Sequence, residues 1–476
     1  MLFNSLQFAI FFIIVYSLYL IFNHKWQNRL LLVASYVFYG SWDWRFLSLI
    51  FISTVLDYFC GLKIYQSTEP RKRKIYLFIS LCGNLSILAF FKYFNFFSSN
   101  LQFLLENFGF AAQPRFLEII LPVGISFYTF QTMSYTIDIY RKKLEPTHRF
   151  LDFALFVSFF PQLVAGPIER ATHLLPQMLN PRKVTPAKFY EGCYLILWGL
   201  YQKMFIADNL AKLVDRTFTS SPPYNGATVL LSLYAFAFQI FCDFAGYSNI
   251  ARGLGKCMGF EIMVNFRIPY FSANPREFWQ RWHISLSSWL KDYLYIPLGG
   301  NRRGNLLTYR NLAITMILGG LWHGAAWNFI LWGVFWAGIL ILYHISQPLL
   351  VRIGVPAGHL IGKLWNGLKI LLFFHLVCLG WLIFRAQSLR QILEMIEGLF
   401  LHFNLGGYIG ALQDLSLFAI YTALLLAIQY FQFRKGDLEI IRKWPGAIKI
   451  LIYLAIFYSI LILGVRKPQY FIYFQF

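Results

Sequence analysis

Residues 311–351, NLAITMILGGLWHGAAWNFILWGVFWAGILILYHISQPLLV, run for 41 positions without an Asp, Glu, Lys or Arg. One apolar helix crosses the hydrocarbon core of a bilayer in ~20 residues, so this run holds two. Comparable uncharged stretches occupy 1–24, 75–91, 119–137, 153–168, 217–242, 370–384, 415–433 and 450–465. Shorter apolar runs at 30–42, 46–56 and 192–202 become spans once flanking charges snorkel. The pattern predicts an all-α, polytopic transmembrane domain of ten to twelve spans that takes in residues 1–476 as one unit.

Composition agrees. Of 476 residues, 58% are hydrophobic, 20% aromatic and only 13% charged, against ~25% charged in soluble domains. That excludes a soluble enzyme, a disordered chain and a disulfide scaffold. The net charge of +21 would suggest nucleic acid in a soluble protein. Here the cations fall in clusters between apolar runs: Lys25 and Arg29, Arg71–Lys74, Arg141–Arg149, Arg182–Lys188, Arg252–Arg310 and Arg434–Lys449. The loops between them carry almost none. Placing the clusters at the cytosolic leaflet gives a consistent alternation with the N-terminus outside, and the partners are membrane lipids, not nucleic acid. The six cysteines form no CxxC pair and read as small apolar residues. The first apolar stretch has no basic n-region before it and is expected to be a retained helix, not a cleaved signal.

Segment 153–168 breaks the topological alternation unless it enters and leaves on one side. Its Pro161, Gly166 and Pro167 predict a re-entrant, broken hairpin, with Gln162 as a cavity-lining candidate. Such backbone survives at membrane depth only where protein buries it or a cavity hydrates it. Segment 272–303, SANPREFWQRWHISLSSWLKDYLYIPLGGNRR, is too polar to span. Asn274, Pro275 and Glu277 make a helix start. Phe278, Trp282, Trp289 and Tyr293 recur at near-helical spacing opposite Gln280, Arg281, His283, Ser287 and Lys291, which predicts an interfacial helix stopped by Pro297 and Gly299–Gly300. An imidazole adds little to an anchor, so His283 points beyond that role.

His323 stands inside the long uncharged run, twelve residues past Asn311, or about 18 Å along a helix. An imidazole at that depth needs a polar partner or a water-filled cavity. Gly319, Gly320, Gly324, Ala325 and Ala326 around it permit close approach of a second backbone or a substrate, and Asn328 is a second polar group nearby. Asp243, at the end of another apolar run, reads as the partner of one of the cations that follow it, such as those from Arg252 onward. No metalloprotease, P-loop, serine-hydrolase or dinucleotide motif occurs, nor any metal-ligand spacing.

Six segments carry a resemblance: LPVGISFYTFQTMSYTIDIYR at 121–141, FFPQLVAGPI at 159–168, FCDFAGYS at 241–248, the stretch NFRIPYFSANPREFWQRWHISLSSWLKDYLYIPLGGNRRG at 265–304, GGLWHGAAWNFILWG at 319–333 and FIYFQF at 471–476. In order along nearly the whole chain, they resemble the membrane-bound O-acyltransferase family, in the branch that O-acetylates alginate and related bacterial polysaccharides. The resemblance implies an acetyltransferase of the bacterial inner membrane whose essential intramembrane histidine matches His323 and whose second histidine matches His283. It implies no tightly bound cofactor, a cytosolic acetyl thioester such as acetyl-CoA as donor, and a periplasmic or membrane-anchored acetyltransferase as partner. Trp282, Asn328, Arg302, Arg303, Asp243 and Gln162 complete the candidate substrate-binding set, the two arginines facing the donor's phosphates. The competing readings are D-alanyl transfer to teichoic acid, by a sister branch, and a transporter or flippase without covalent chemistry. The absence of an internal repeat weighs against the last.

Overall fold

The computed structural model describes residues 1–110, 117–164, 166–352, 360–404, 409–466 and 471–472. Among these every regular element is helical. Seven segments are long and apolar enough to cross a membrane: His24–Gln66, Pro70–Asn107, Gly226–Cys257, Trp327–Pro348, Leu360–Arg385, Leu412–Lys435 and Gly446–Leu463. The larger number expected from the sequence counted apolar runs separately. The runs at 30–42 and 46–56 lie in helices His24–Asp43 and Leu47–Gln66 on either side of a 3-10 turn at Trp44–Phe46, and the 43-residue segment they form is long enough for two crossings. The run at 119–137 forms Ile125–Tyr140, a 16-residue helix buried almost throughout.

The chain divides into two compact units. The first comprises Met1–Ile196 and Ser248–Met263. Polar side chains join three of its helices: Asp57 Oδ1 accepts from Ser80 Oγ at 2.6 Å, its Oδ2 accepts from Asn84 Nδ2 at 2.8 Å, and Ser80 Oγ lies 2.9 Å from Thr136 Oγ1. In an apolar solvent such bonds hold helices together where the hydrophobic effect does not. The expected break in 153–168 falls at Phe159, between helices Phe150–Ser158 and Phe160–Leu163. The break separates the Phe160 amide from the Phe156 carbonyl, four residues back. Ser35 Oγ accepts from the amide at 3.1 Å, and the carbonyl accepts from Gln131 Nε2 at 2.6 Å and Gln162 Nε2 at 3.0 Å. The backbone groups freed by the break are thus re-satisfied inside protein. Gln162 therefore serves the hairpin's own backbone.

The second unit comprises Leu197–Tyr247 and Val264–Phe476. Within it the helices Asn305–His323 and Trp327–Arg352 pack together and divide the long uncharged run at residues 324–326. Glycine sets their spacing. A Cβ on Gly320 would stand 2.2 Å from the Phe329 carbonyl oxygen, and one on Gly333 would stand 2.5 Å from that of Met316. Gly319, on another face, meets only a leucine methyl of Leu290 at 3.1 Å.

The interfacial segment differs from the single helix expected. Asn274 does cap its start, accepting from the Glu277 amide at 2.9 Å while Glu277 accepts from Ala273 at 2.8 Å. The helix then ends at Arg281, and a second runs Ile284–Leu290 into a π-helical turn at Lys291–Tyr295. Between them His283 takes a left-handed conformation, φ +42°, uncommon for a residue other than glycine. Backbone bonds from Arg267 N to Arg281 O and from Ile284 N to Asn265 O, both 2.9 Å, fasten the break to an extended strand of chain.

The glycine spacing yields a matched pair. Gly320→Ala is expected to force the two helices apart and lower stability by about 1–3 kcal/mol, read as a lower midpoint of thermal aggregation in detergent. Gly319→Ala should stay close to the unsubstituted protein.

Candidate active site

His283 is fully buried. Asn265 Oδ1 accepts from the Ser285 amide at 3.1 Å and from Ser285 Oγ at 2.9 Å, and stands 3.2 Å from His283 Nδ1. The amide donor fixes Oδ1 as the acceptor atom, so the proton resides on Nδ1 of the imidazole. Nε2 then carries the lone pair. Burial pushes the His283 pKa down to about 3, because a charged ring loses its hydration there. His283 is therefore neutral at physiological pH, with one defined tautomer.

The surroundings are aromatic. Phe244 meets His283 edge-on at 4.6 Å, and Trp322 lies 5.9 Å away. Trp322 also touches His323 at 5.1 Å. The two imidazoles thus share one indole neighbour, and their centroids lie within about 11 Å of each other. His323 ends its helix and is itself buried. Trp332 at 5.1 Å and Phe384 at 5.4 Å complete its walls, each close to perpendicular to the imidazole. The chain between the histidines runs through Ile284–Leu290, the turn Lys291–Tyr295, the stretch up to Gly304 and the helix Asn305–His323.

The other candidates have different settings. Trp282 is buried against Trp381 at 4.8 Å, Phe266 at 5.0 Å and Phe278 at 5.6 Å. It belongs to the aromatic core behind the histidines and presents no open face. Asn328 donates to the carbonyls of Phe384 and Ala386 at 3.1 and 3.2 Å. These end the Leu360–Arg385 helix, so Asn328 satisfies carbonyls that a helix terminus leaves open and fixes Phe384 against His323. Arg302 and Arg303 lie exposed in the turn before Asn305. Asp243 is the clearest departure: its cation is Lys203, 2.6 Å away and 40 residues earlier, not one of those that follow it. Gln162 belongs to the first unit. Of the FIYFQF stretch, Tyr473 to Phe476 lie outside the described residues.

Asn265, Trp322, Trp332 and Phe384 were not singled out from sequence. Asn265 lies 18 residues before its histidine, and no single helix joins the two positions, so periodicity could not pair them.

The site brings a neutral, buried His283 and a buried His323 into one aromatic setting, and imidazole is the side chain most often used for proton transfer near neutral pH. Asn265→Ala removes three contacts at once and is expected to lower kcat/KM about tenfold or more, with protein yield retained. His283 also shapes acid sensitivity. Unfolded, it binds a proton near pH 6.5; folded, only near pH 3. Between those values the unfolded state holds more protons, so stability falls as pH drops from 6.5 towards 3. His283→Gln should flatten that decline in thermal midpoint.

The sequence matches the family model described as MBOAT, membrane-bound O-acyltransferase family, over residues 74–380. It is 44% identical over 403 residues to the probable alginate O-acetylase AlgI of Pseudomonas aeruginosa, covering 84% of this chain and 75% of that protein. The corresponding protein of Azotobacter vinelandii is 42% identical over 403 residues, with 84% and 78% covered. The peptidoglycan O-acetyltransferase of Helicobacter pylori is 35% identical over 403 residues, with 79% and 74% covered.

Proposed function

The chain belongs to the membrane-bound O-acyltransferase family, and on that premise we propose that this enzyme O-acetylates a polysaccharide of the bacterial cell surface, taking acetyl groups from a cytosolic thioester. The observation that carries the proposal is that the rings of His283 and His323 both pack against Trp322, at 5.9 and 5.1 Å. The names of its relatives, alginate O-acetylase and peptidoglycan O-acetyltransferase, supply the acyl group and the polymer class.

Acyl transfer from a thioester to a hydroxyl needs a base at the attacking oxygen and a site that excludes bulk water. His323 takes the hydroxyl proton as the oxygen attacks the thioester carbonyl. Collapse of the tetrahedral species expels the thiolate, and the proton held by His323 passes to it. His283 has its proton directed to Asn265, so its Nε2 lone pair can accept from an N–H of the donor's pantetheine arm and cannot donate to the carbonyl. It therefore positions the donor, and His323 performs the proton transfer. Acetyl-CoA supplies such an arm, and its phosphates suit the exposed Arg302 and Arg303. The acceptor is a hydroxyl reaching the site from the opposite side, either the polymer's own or one on a periplasmic acetyltransferase. The cell inner membrane is the compartment in which a cytosolic thioester and an exported polymer meet.

The test is thioester turnover by the purified protein with labelled acetyl-CoA and the acceptor partner. His323→Ala is expected to insert normally and lose 10²–10⁴-fold in rate, about the contribution of a general base. An inserted His323→Ala protein with undiminished turnover would remove His323 from the reaction.

A further inference from the structure

Lys203 is almost wholly buried between two carboxylates, 2.8 Å from Asp208 Oδ1 and 2.6 Å from Asp243 Oδ1. It sits in a π-helical turn, Tyr201–Ala207, a feature frequent at functional sites. The second oxygen of Asp243 accepts the backbone N–H of Ile472 at 2.6 Å. The preceding stretch of chain is tied to the same turn and to the helix that follows it: Val465 N donates to Met204 O at 3.0 Å, and Asn209 Nδ2 donates to Leu463 O at 2.8 Å. The Phe471 ring packs 4.9 Å from Tyr247 and 5.3 Å from Phe244. Phe244 is the ring that meets His283 edge-on at 4.6 Å. A continuous line of contacts therefore runs Lys203, Asp243, Ile472, Phe471, Phe244, His283.

We propose that Lys203 is a positioning residue of the acyl-transfer site: through Asp243 it clamps the backbone at Ile472 and seats Phe471 behind the ring that buttresses His283. The proposal rests on the acyl-transfer reading above. Its physics is that of a buried ion pair. An unpaired carboxylate in so apolar a place is costly, and Lys203 is the ion-pair partner beside which Asp243 can hold an amide. Charge-assisted bonds of this kind are stronger than neutral ones. Asp208 holds the other side of the ammonium, so Lys203 cannot swing away from Asp243 without leaving both.

The clamp grips a main-chain N–H, so it can be released without touching any charged residue. Ile472→Pro deletes the donor, whereas Ile472→Ala keeps it. Ile472→Pro is expected to reduce kcat/KM for acetyl-CoA about tenfold or more, the loss of one hydrogen bond to a charged group, with a raised KM as for a substitution of His283. Ile472→Ala should stay close to the unsubstituted enzyme. A purely structural role would reduce the amount of folded protein and leave the KM of the survivors unchanged. Lys203→Met should reproduce the kinetic signature, and Lys203→Arg should restore part of the activity.

A second readout needs no catalysis. Ile472 is 3% exposed, so a thiol introduced by Ile472→Cys in a cysteine-free background should resist maleimide. Adding Lys203→Met should raise its labelling rate at least about tenfold, the cost of one charge-assisted bond. Equal labelling with and without Lys203, or equal kinetics for Ile472→Pro and Ile472→Ala, would overturn the clamp. If the unsubstituted protein turns over no acetyl thioester, the acyl-transfer reading fails, while the labelling comparison still decides whether Lys203 holds this segment.

Discussion

An imidazole can occupy a water-poor aromatic site only as a neutral ring whose N–H has an acceptor. At His283 that acceptor is Asn265 Oδ1, 3.2 Å away, and much of the second unit serves to place it. The same oxygen takes two bonds from Ser285. The backbone of Asn265 accepts from Ile284, and the left-handed turn at His283 lets one short helix end and another begin around the ring. A continuous helix would have carried His283 on its polar side, where an ionised and hydrated ring would have no fixed tautomer.

The membrane constrains the fold in the same way at larger scale. Each interruption of a helix must be re-satisfied by protein. Phe160 N finds Ser35, Phe156 O finds Gln131 and Gln162, and the terminal carbonyls near Phe384 find Asn328. Polar side chains in this protein that look catalytic in sequence are thus often holding backbone. Gln162 and Asn328 both do so. His323 and His283 have a different setting, since each is enclosed by rings and both meet Trp322.

What the sequence made legible follows from this division. Uncharged runs report helices directly, because the cost of charge in lipid is large and local. The all-helical membrane architecture, the break near Phe159, the cap at Asn274 and the two helices within 311–351 could all be read from it. That His323 is buried beside closely packed helices was foreshadowed by its place in the long uncharged run and by the glycines next to it. Other features were hidden because they depend on distant partners. Nothing in the spacing of Asn265 and His283 marks a bond between them. The break at His283 has no glycine or proline to announce it, and amphipathic spacing on both sides imitates one helix. Asp243 was matched to the cations after it because sequence proximity is the only guide to ion pairs, whereas Lys203 comes from the π-helical turn before it.

The central claim is that His283 and His323 form one site around Trp322, with His283 holding the donor arm and His323 facing the transferred group. The most direct measurement is an experimental structure with a non-hydrolysable thioether analogue of acetyl-CoA bound. The account predicts the pantetheine arm threaded past Trp322, an amide N–H within hydrogen-bond reach of His283 Nε2, and the carbonyl carbon nearer to His323 than to His283. An arm that ends away from both rings, or that reaches one while Trp322 seals it from the other, would contradict it.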